Sequence, residues 1–244
     1  MKIGILQCDD VLDELQDKHG NYENMFISLL SSIDATIQFT VYRVIDDQYP
    51  KTLNECDAYI ATGSRYSVND DVYWVNKLQA FITQLYHAKK KFIGICFGHQ
   101  MIAKALGGLV ELSAKGWGIG IATSVIKHKP DWLQNSSEQL ALVVSHKEQV
   151  VKLPEKTTII ASSAFCPNSI IQIDKHFIGI QGHPEFSKSY SLDLMQKRRA
   201  IIPAERIDTA IESLTLEVDD ILVTRSLLRF LREPVASETD SKCS

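Results

Sequence analysis

Apolar residues in the first hundred positions fall into short dense runs set between longer, more widely spaced patterns. "KIGILQC" (2–8), "DAYIA" (57–61) and "KFIGI" (91–95) are near-continuous, and "IQFTVYRV" (37–44) alternates. Runs of this length, rich in β-branched and aromatic side chains, predict strands, with the continuous ones buried. Between them the period changes. Tyr22, Met25, Phe26 and Leu29 share one face of a helix over 21–31. Val72, Val75, Leu78, Phe81, Ile82 and Leu85 do the same over 71–89. "GHQMIAKALGG" (98–108) predicts a further helix closed by glycine. Strands alternating with helices predict a parallel sheet covered by helices on its faces.

The second half has a different rhythm. "GWGIGIATSVI" (116–126), "LALVVS" (140–145), "TTIIASS" (157–163), "NSIIQI" (168–173) and "HFIGIQG" (176–182) follow one another with turn residues between them. Close succession predicts antiparallel strands added to the same sheet. From Ser187 the helical period returns, in "SKSYSLDLMQKRRAII", "PAERIDTAIESL" and "DDILVTRSLLRFLR", with Pro203 at a helix start. No repeat or long linker divides the chain. The expected organisation is one α/β domain over 1–190, C-terminal helices over 191–232 packed on it, and a polar, disordered tail over 233–244.

Composition narrows the function classes. With 244 residues, 45% hydrophobic and 23% charged, the chain can bury one sizeable core. A formal net charge of -4 gives no basic surface for nucleic acid. No apolar stretch approaches the roughly 18 residues of a membrane span. The start, "MKIGILQCDD", lacks the h-region of a secretory signal. Five cysteines without CxxC pairing argue against a disulfide framework or zinc site, and cytoplasm is the expected location. Acid pairs at 46–47, 70–71 and 219–220 read as solvated turns and caps, so neither a metal nor an organic cofactor is expected.

One cysteine stands apart. In "KFIGICFGHQ", Cys96 lies between Gly94 and Gly98 where a strand meets a helix. That is the context of a nucleophile elbow, with cysteine in place of serine. A sharp turn needs neighbours without side chains, and the first amides of the helix favour thiolate and can receive an oxyanion. Cys8, Cys56, Cys166 and Cys243 have no such setting and read as buried or incidental. A thiolate nucleophile needs a base with an orienting partner. Among seven histidines, His19, His87, His128 and His176 lie in polar segments and read as surface residues, and His99 points away from the sulfur. His146 in "VVSHKEQV" and His183 in "GIQGHPEF" remain. His183 is the stronger, since glycine and proline fix its turn and Glu185 lies within reach of its ring.

"GICFGHQ" followed far downstream by "GHPEF" resembles the class I, triad-type glutamine amidotransferases, and most of all stand-alone proteins similar to the amidotransferase domain of GMP synthase. The resemblance covers roughly 1–190. It implies a flavodoxin-like three-layer α/β sandwich around a mostly parallel sheet, and a triad of Cys96, His183 and Glu185. It implies an oxyanion hole from the amides of Phe97 and of Gly63 in "ATGSRYSV". Gln100, Ser145 and His146 match segments that hold the glutamyl part of a substrate. Near the same turn, Arg65 can pair with a substrate carboxylate or, alternatively, with Asp70 or Asp71.

Three readings follow. In the first, a γ-glutamyl thioester forms on Cys96 and ammonia passes to a synthase partner, which would be a separate chain because no P-loop or pyrophosphate loop follows. In the second, the chain acts alone as a γ-glutamyl peptidase or hydrolase on a small-molecule substrate. In the third, it is a regulatory module that kept the fold.

Overall fold

The computed structural model describes residues 1–134 and 137–234. The tail expected over 233–244 therefore lies, beyond its first two residues, outside the described residues, as does Cys243. In chain order the strands and helices are β1 (Lys2–Gln7), α1 (Asp13–His19), α2 (Tyr22–Ile33), β2 (Gln38–Arg43), β3 (Ala58–Ala61), α3 (Tyr73–His87), β4 (Lys91–Ile95) and α4 (Phe97–Ala105). There follow β5 (Leu109–Leu112), β6 (Gly118–Ile126), β7 (Gln139–His146), β8 (Glu148–Lys152), β9 (Thr157–Ser162), β10 (Ile170–Ile173), β11 (Phe177–Ile180), α5 (Lys188–Lys197), α6 (Ala204–Ser213) and α7 (Asp220–Arg232).

Nine strands form one sheet in the order β2-β1-β3-β4-β11-β10-β9-β6-β7. Its first half is parallel, with β1 between β2 and β3, and β4 between β3 and β11. From β11 onward each neighbour is antiparallel. β11 was expected among the antiparallel additions. It is antiparallel to β10 but parallel to β4, in the register Ile180 opposite Ile95. This insertion carries the chain after β11 to the same sheet end as the chain after β4.

Side chains alternate across the sheet and divide the core into two layers. On one face Ile93, Ile95, Ile178 and Ile180 pack with Phe26 of α2 and Phe230 of α7. On the other, Phe92, Tyr59 and Phe177 pack with Leu78 of α3 and Met101 of α4. Every residue of β4 is buried, and each large apolar side chain there contributes about 1.5–3 kcal/mol by leaving water. α6 lies against β6, so close at Gly120 that a Cβ would meet Ser213 Oγ at 2.5 Å. A two-stranded sheet, β5 with β8, and the short helix α1 have no counterpart in the sequence expectations. His176, expected at the surface, is buried: its Nε2 lies 3.0 Å from Tyr86 O and its ring stacks on Tyr86 at 5.0 Å. His19 is also covered, with Nε2 2.7 Å from Asp193.

Candidate active site

The elbow is built by close backbone approach. Cys96 joins β4 to α4 with φ 51 and ψ -96, a left-handed conformation that costs a non-glycine residue about 1–3 kcal/mol. The surroundings hold it there. A Cβ on Gly94 would lie 2.4 Å from the carbonyl of Gly98, and one on Gly98 would lie 2.8 Å from Ala61 O. α4 therefore sits directly on β4 and β3, as only glycine permits. The Cys96 N–H donates to Ile180 O at 2.7 Å, which ties the elbow to β11. The Phe97 amide is the first of α4, where helix geometry leaves N–H groups without an intrahelical acceptor.

β11 then delivers the next group. Its exit runs through Gln181 and Gly182 to His183, whose N–H donates to Val143 O at 2.8 Å. His183 Nδ1 lies 2.7 Å from Glu185 Oε1, with both side chains buried. Because a carboxylate only accepts, Nδ1 carries the proton and Nε2 is left for the sulfur. The ring stacks on Phe186, centroids 3.8 Å apart at 9°. Burial disfavours the charged imidazolium. The Glu185 carboxylate and the Cys96 sulfur oppose that and raise the ring above its ordinary value. Gly63 approaches from β3: a Cβ there would lie 3.0 Å from His183 Cε1 and 3.8 Å from Cys96 Cβ.

A narrow cleft of about 20 Å³ opens among Gly63, Cys96, Ser145, His183, Phe186 and Arg198. Cys96, His183, Glu185 and Gly63 are thus brought together, with the Phe97 amide at the elbow. The remaining candidates take other places. Gln100 donates through Nε2 to Glu148 O at 2.7 Å and to Gln181 Oε1 at 3.2 Å, within the buried interior. Ser145 lines the cleft. His146, the next residue of β7, faces the opposite side, where its Nδ1 donates to Glu148 O at 3.1 Å. Burial depresses the His146 ring to about 4, so it is neutral. Arg65 pairs with neither Asp70 nor Asp71. Its Nε and Nη2 donate to Asp9 at 2.9 and 2.8 Å, and its backbone N–H donates to the same carboxylate at 2.7 Å. Asp9 is fully buried at the end of β1, so this pair braces the turn that carries Gly63.

Two residues near the sulfur were not anticipated. Gln181 Nε2 donates to Cys96 Sγ at 3.5 Å. Its place two residues before His183, inside "GIQGHPEF", was the available signal. Arg198, in a basic run at the end of α5, had none. Beyond Gln181 lies a cavity of about 590 Å³ between β6, β7 and α6, walled by Trp117, Leu142, Val144 and Phe165. It shares Gln181 with the surroundings of Cys96, but Cys96, His183, Glu185 and Gly63 do not line it. Cys8 and Cys166 are buried, and desolvation pushes both thiols up to about 12, which leaves them unreactive. Among the described residues no cluster of His, Cys, Asp or Glu suits a metal, and no helix is long and apolar enough to cross a membrane.

Residues 14–199 match the family model for glutamine amidotransferase class-I. Gamma-glutamyl peptidase 3 of Arabidopsis thaliana is 31% identical over 236 residues, spanning 92% of this chain and 93% of its own. A glutamine-hydrolyzing GMP synthase subunit of Saccharolobus solfataricus is 30% identical over 68% of this chain and 85% of its own. The crystal structure of a glutamine amidotransferase from Thermotoga maritima superposes with a TM-score of 0.75 at 19% identity, covering 95% of this chain and 99% of that one.

Proposed function

The chain belongs to the glutamine amidotransferase class-I family, and from that premise we propose that it hydrolyses a γ-glutamyl amide bond through a thioester on Cys96. The observation that carries the reading is the buried His183–Glu185 pair, 2.7 Å apart, beside a cysteine on a glycine-built elbow. His183 Nε2 takes the Cys96 thiol proton, and the sulfur attacks the γ-carbonyl carbon of the substrate. The carbonyl oxygen takes the negative charge and is received by the Phe97 and Gly63 amides; one such donor is worth about 3–4 kcal/mol. His183 gives its Nε2 proton to the leaving nitrogen, the C–N bond breaks, and the amine departs. His183 then takes a proton from water, the hydroxide attacks the thioester, and the glutamyl carboxylate leaves with Cys96 restored as a thiol. Glu185 keeps the ring in the tautomer this exchange requires.

Action on γ-glutamyl peptides without ammonia transfer is the favoured form. Its support is the likeness, along nearly the whole of both chains, to a protein named as a γ-glutamyl peptidase. Ammonia supply to a separate synthase chain is the second form, supported by the likeness to one component of a GMP synthase. Purified protein offered glutamine and a panel of γ-glutamyl peptides, with Cys96→Ser as control, separates them. Glutamate released from peptides by the lone chain supports the first form. Release from glutamine only on addition of a synthase chain supports the second. No release and no acyl adduct on Cys96 would refute both and leave the regulatory module.

A further inference from the structure

Arg198 caps the C-terminus of α5, its N–H closing the last turn on Leu194 O at 3.2 Å and Met195 O at 3.1 Å. From there its side chain reaches the cleft that holds Cys96 and His183. Nη1 donates to Ser145 Oγ at 2.7 Å, and the guanidinium carbon lies 5.3 Å from the Trp117 ring centroid. Ser145 and the indole thus hold the planar head in place. The neighbours on either side are paired with acids, Lys197 with Glu14 and Arg199 with Asp208. Arg43, Arg65 and Arg232 also have carboxylate partners. Among the described residues no carboxylate pairs with Arg198. A guanidinium has five N–H donors, and one bond to a serine hydroxyl leaves most of them open beside the reacting sulfur. Fixed, half-buried and without a counter-ion, such a head suits a planar anion that it can grip with two parallel bonds.

We propose that Arg198, with Ser145, is the carboxylate-binding residue of this active site and selects γ-glutamyl substrates by their anionic end. The inference rests on the γ-glutamyl hydrolysis proposed above. Two carboxylates qualify: the α-carboxylate of the glutamyl half, and the C-terminal carboxylate of an amino acid released as the amine.

The test compares wild type with Arg198→Met, which keeps an apolar stem and removes the charge. The substrates are γ-glutamylalanine and γ-glutamylalaninamide, the second lacking the C-terminal charge. Loss of a charge-assisted bidentate contact raises KM about 10- to 100-fold with kcat little changed. A rise for both substrates assigns the α-carboxylate, and a rise for γ-glutamylalanine alone assigns the C-terminal one. Arg198→Lys restores part of the loss. Alkylation of Cys96 reads the same site without turnover. Anionic iodoacetate gains on neutral iodoacetamide in wild type, and the ratio of their rates drops several-fold in Arg198→Met. If wild type hydrolyses no γ-glutamyl amide, the proposed reaction fails while the alkylation ratio still decides the role of Arg198. A ratio and KM values unchanged by Arg198→Met overturn the inference.

Discussion

Gly63→Ala isolates the placement of the imidazole from everything else in the site. The substitution keeps the backbone N–H and so the proposed oxyanion donor. The backbone at Gly63 is not left-handed, so alanine is compatible with it. The added methyl carbon would stand 3.0 Å from His183 Cε1, while its distance to Cys96 Cβ, 3.8 Å, is ordinary contact. Carbon atoms settle about 3.5–4.0 Å apart, so the ring must yield by roughly 0.5 Å. It is already in stacking contact with Phe186 at 3.8 Å and anchored to Glu185 at 2.7 Å, so yielding means sliding relative to the sulfur. Catalytic groups tolerate about 0.5 Å of displacement, and about 1 Å can cost 100-fold. The shift lies at the edge of that tolerance, so the expected result is a kcat lower by up to about 10-fold on every substrate. Stability should hold, because the loss of glycine's freedom in the unfolded chain offsets the crowding by about 0.4–1 kcal/mol. In a protein of this size that keeps Tm within about 4 °C of wild type. Steady-state kinetics with calorimetry on the same preparations decide it. Wild-type kcat, or a Tm loss large enough to explain the fall in activity, would refute the placement argument.

Three further outcomes are expected. Glu185→Gln removes the charge that favours imidazolium on His183, and kcat should fall by about 10²–10⁴-fold; a fall under threefold in steady-state assays would count against the triad. Gly94→Ala forces a methyl within 2.4 Å of the Gly98 carbonyl and should cost at least about 1–3 kcal/mol in urea denaturation, because backbone rather than a flexible side chain must move. Burial depresses the His99 ring to about 3 and the His146 ring to about 4, so both are neutral in the fold and protonate near 6.5 once unfolded. Their contribution is fully present above about pH 6.5 and is lost as the pH falls toward 4 and 3, at up to about 1.4 kcal/mol per pH unit for each ring. Urea midpoints between pH 4 and 7 should therefore slope less steeply in His99→Gln than in wild type, and parallel slopes would contradict the assignment.

What the sequence disclosed follows from where burial is dense. β1, β3 and β4 are covered on both faces, and their apolar runs are hard to miss. β5 and β8 pack on one side only, with Leu112 and Val151 left exposed, so no run or clean alternation marks them. α1 buries a single residue, Leu15, and carries almost no helical period. The parallel pairing of β11 with β4 was illegible for another reason: its nearest strands in sequence are antiparallel, and its partner is far away along the chain. Distance also hid the partners of single residues. Asp9 reaches Arg65 because the ends of β1 and β3 are neighbours, whereas sequence offered only the nearby Asp70 and Asp71. His176 sits among polar residues in the chain and under Tyr86 in space. Cys96 and His183 were legible because tight backbone geometry demands glycine and proline beside them. Arg198 makes no such demand on its neighbours.

The insertion of β11 beside β4 also sets when the proposed site can assemble during synthesis. Cys96 emerges from the ribosome with its strand, but Gln181, which touches its sulfur, is 85 residues later in the chain, with His183 and Glu185 just beyond. Until then β4 has an open edge, a template for wrong pairing. Closing so long a loop is slow, because its entropy is lost before the pairing contacts form. The thiol is thus without its proposed base while the 87 residues from Cys96 to His183 are made, and a chain broken off before β11 carries the elbow without its proposed base. The step that closes the sheet is the step that assembles the proposed site, so activity in a lysate should report the fraction of chains that have folded across this seam.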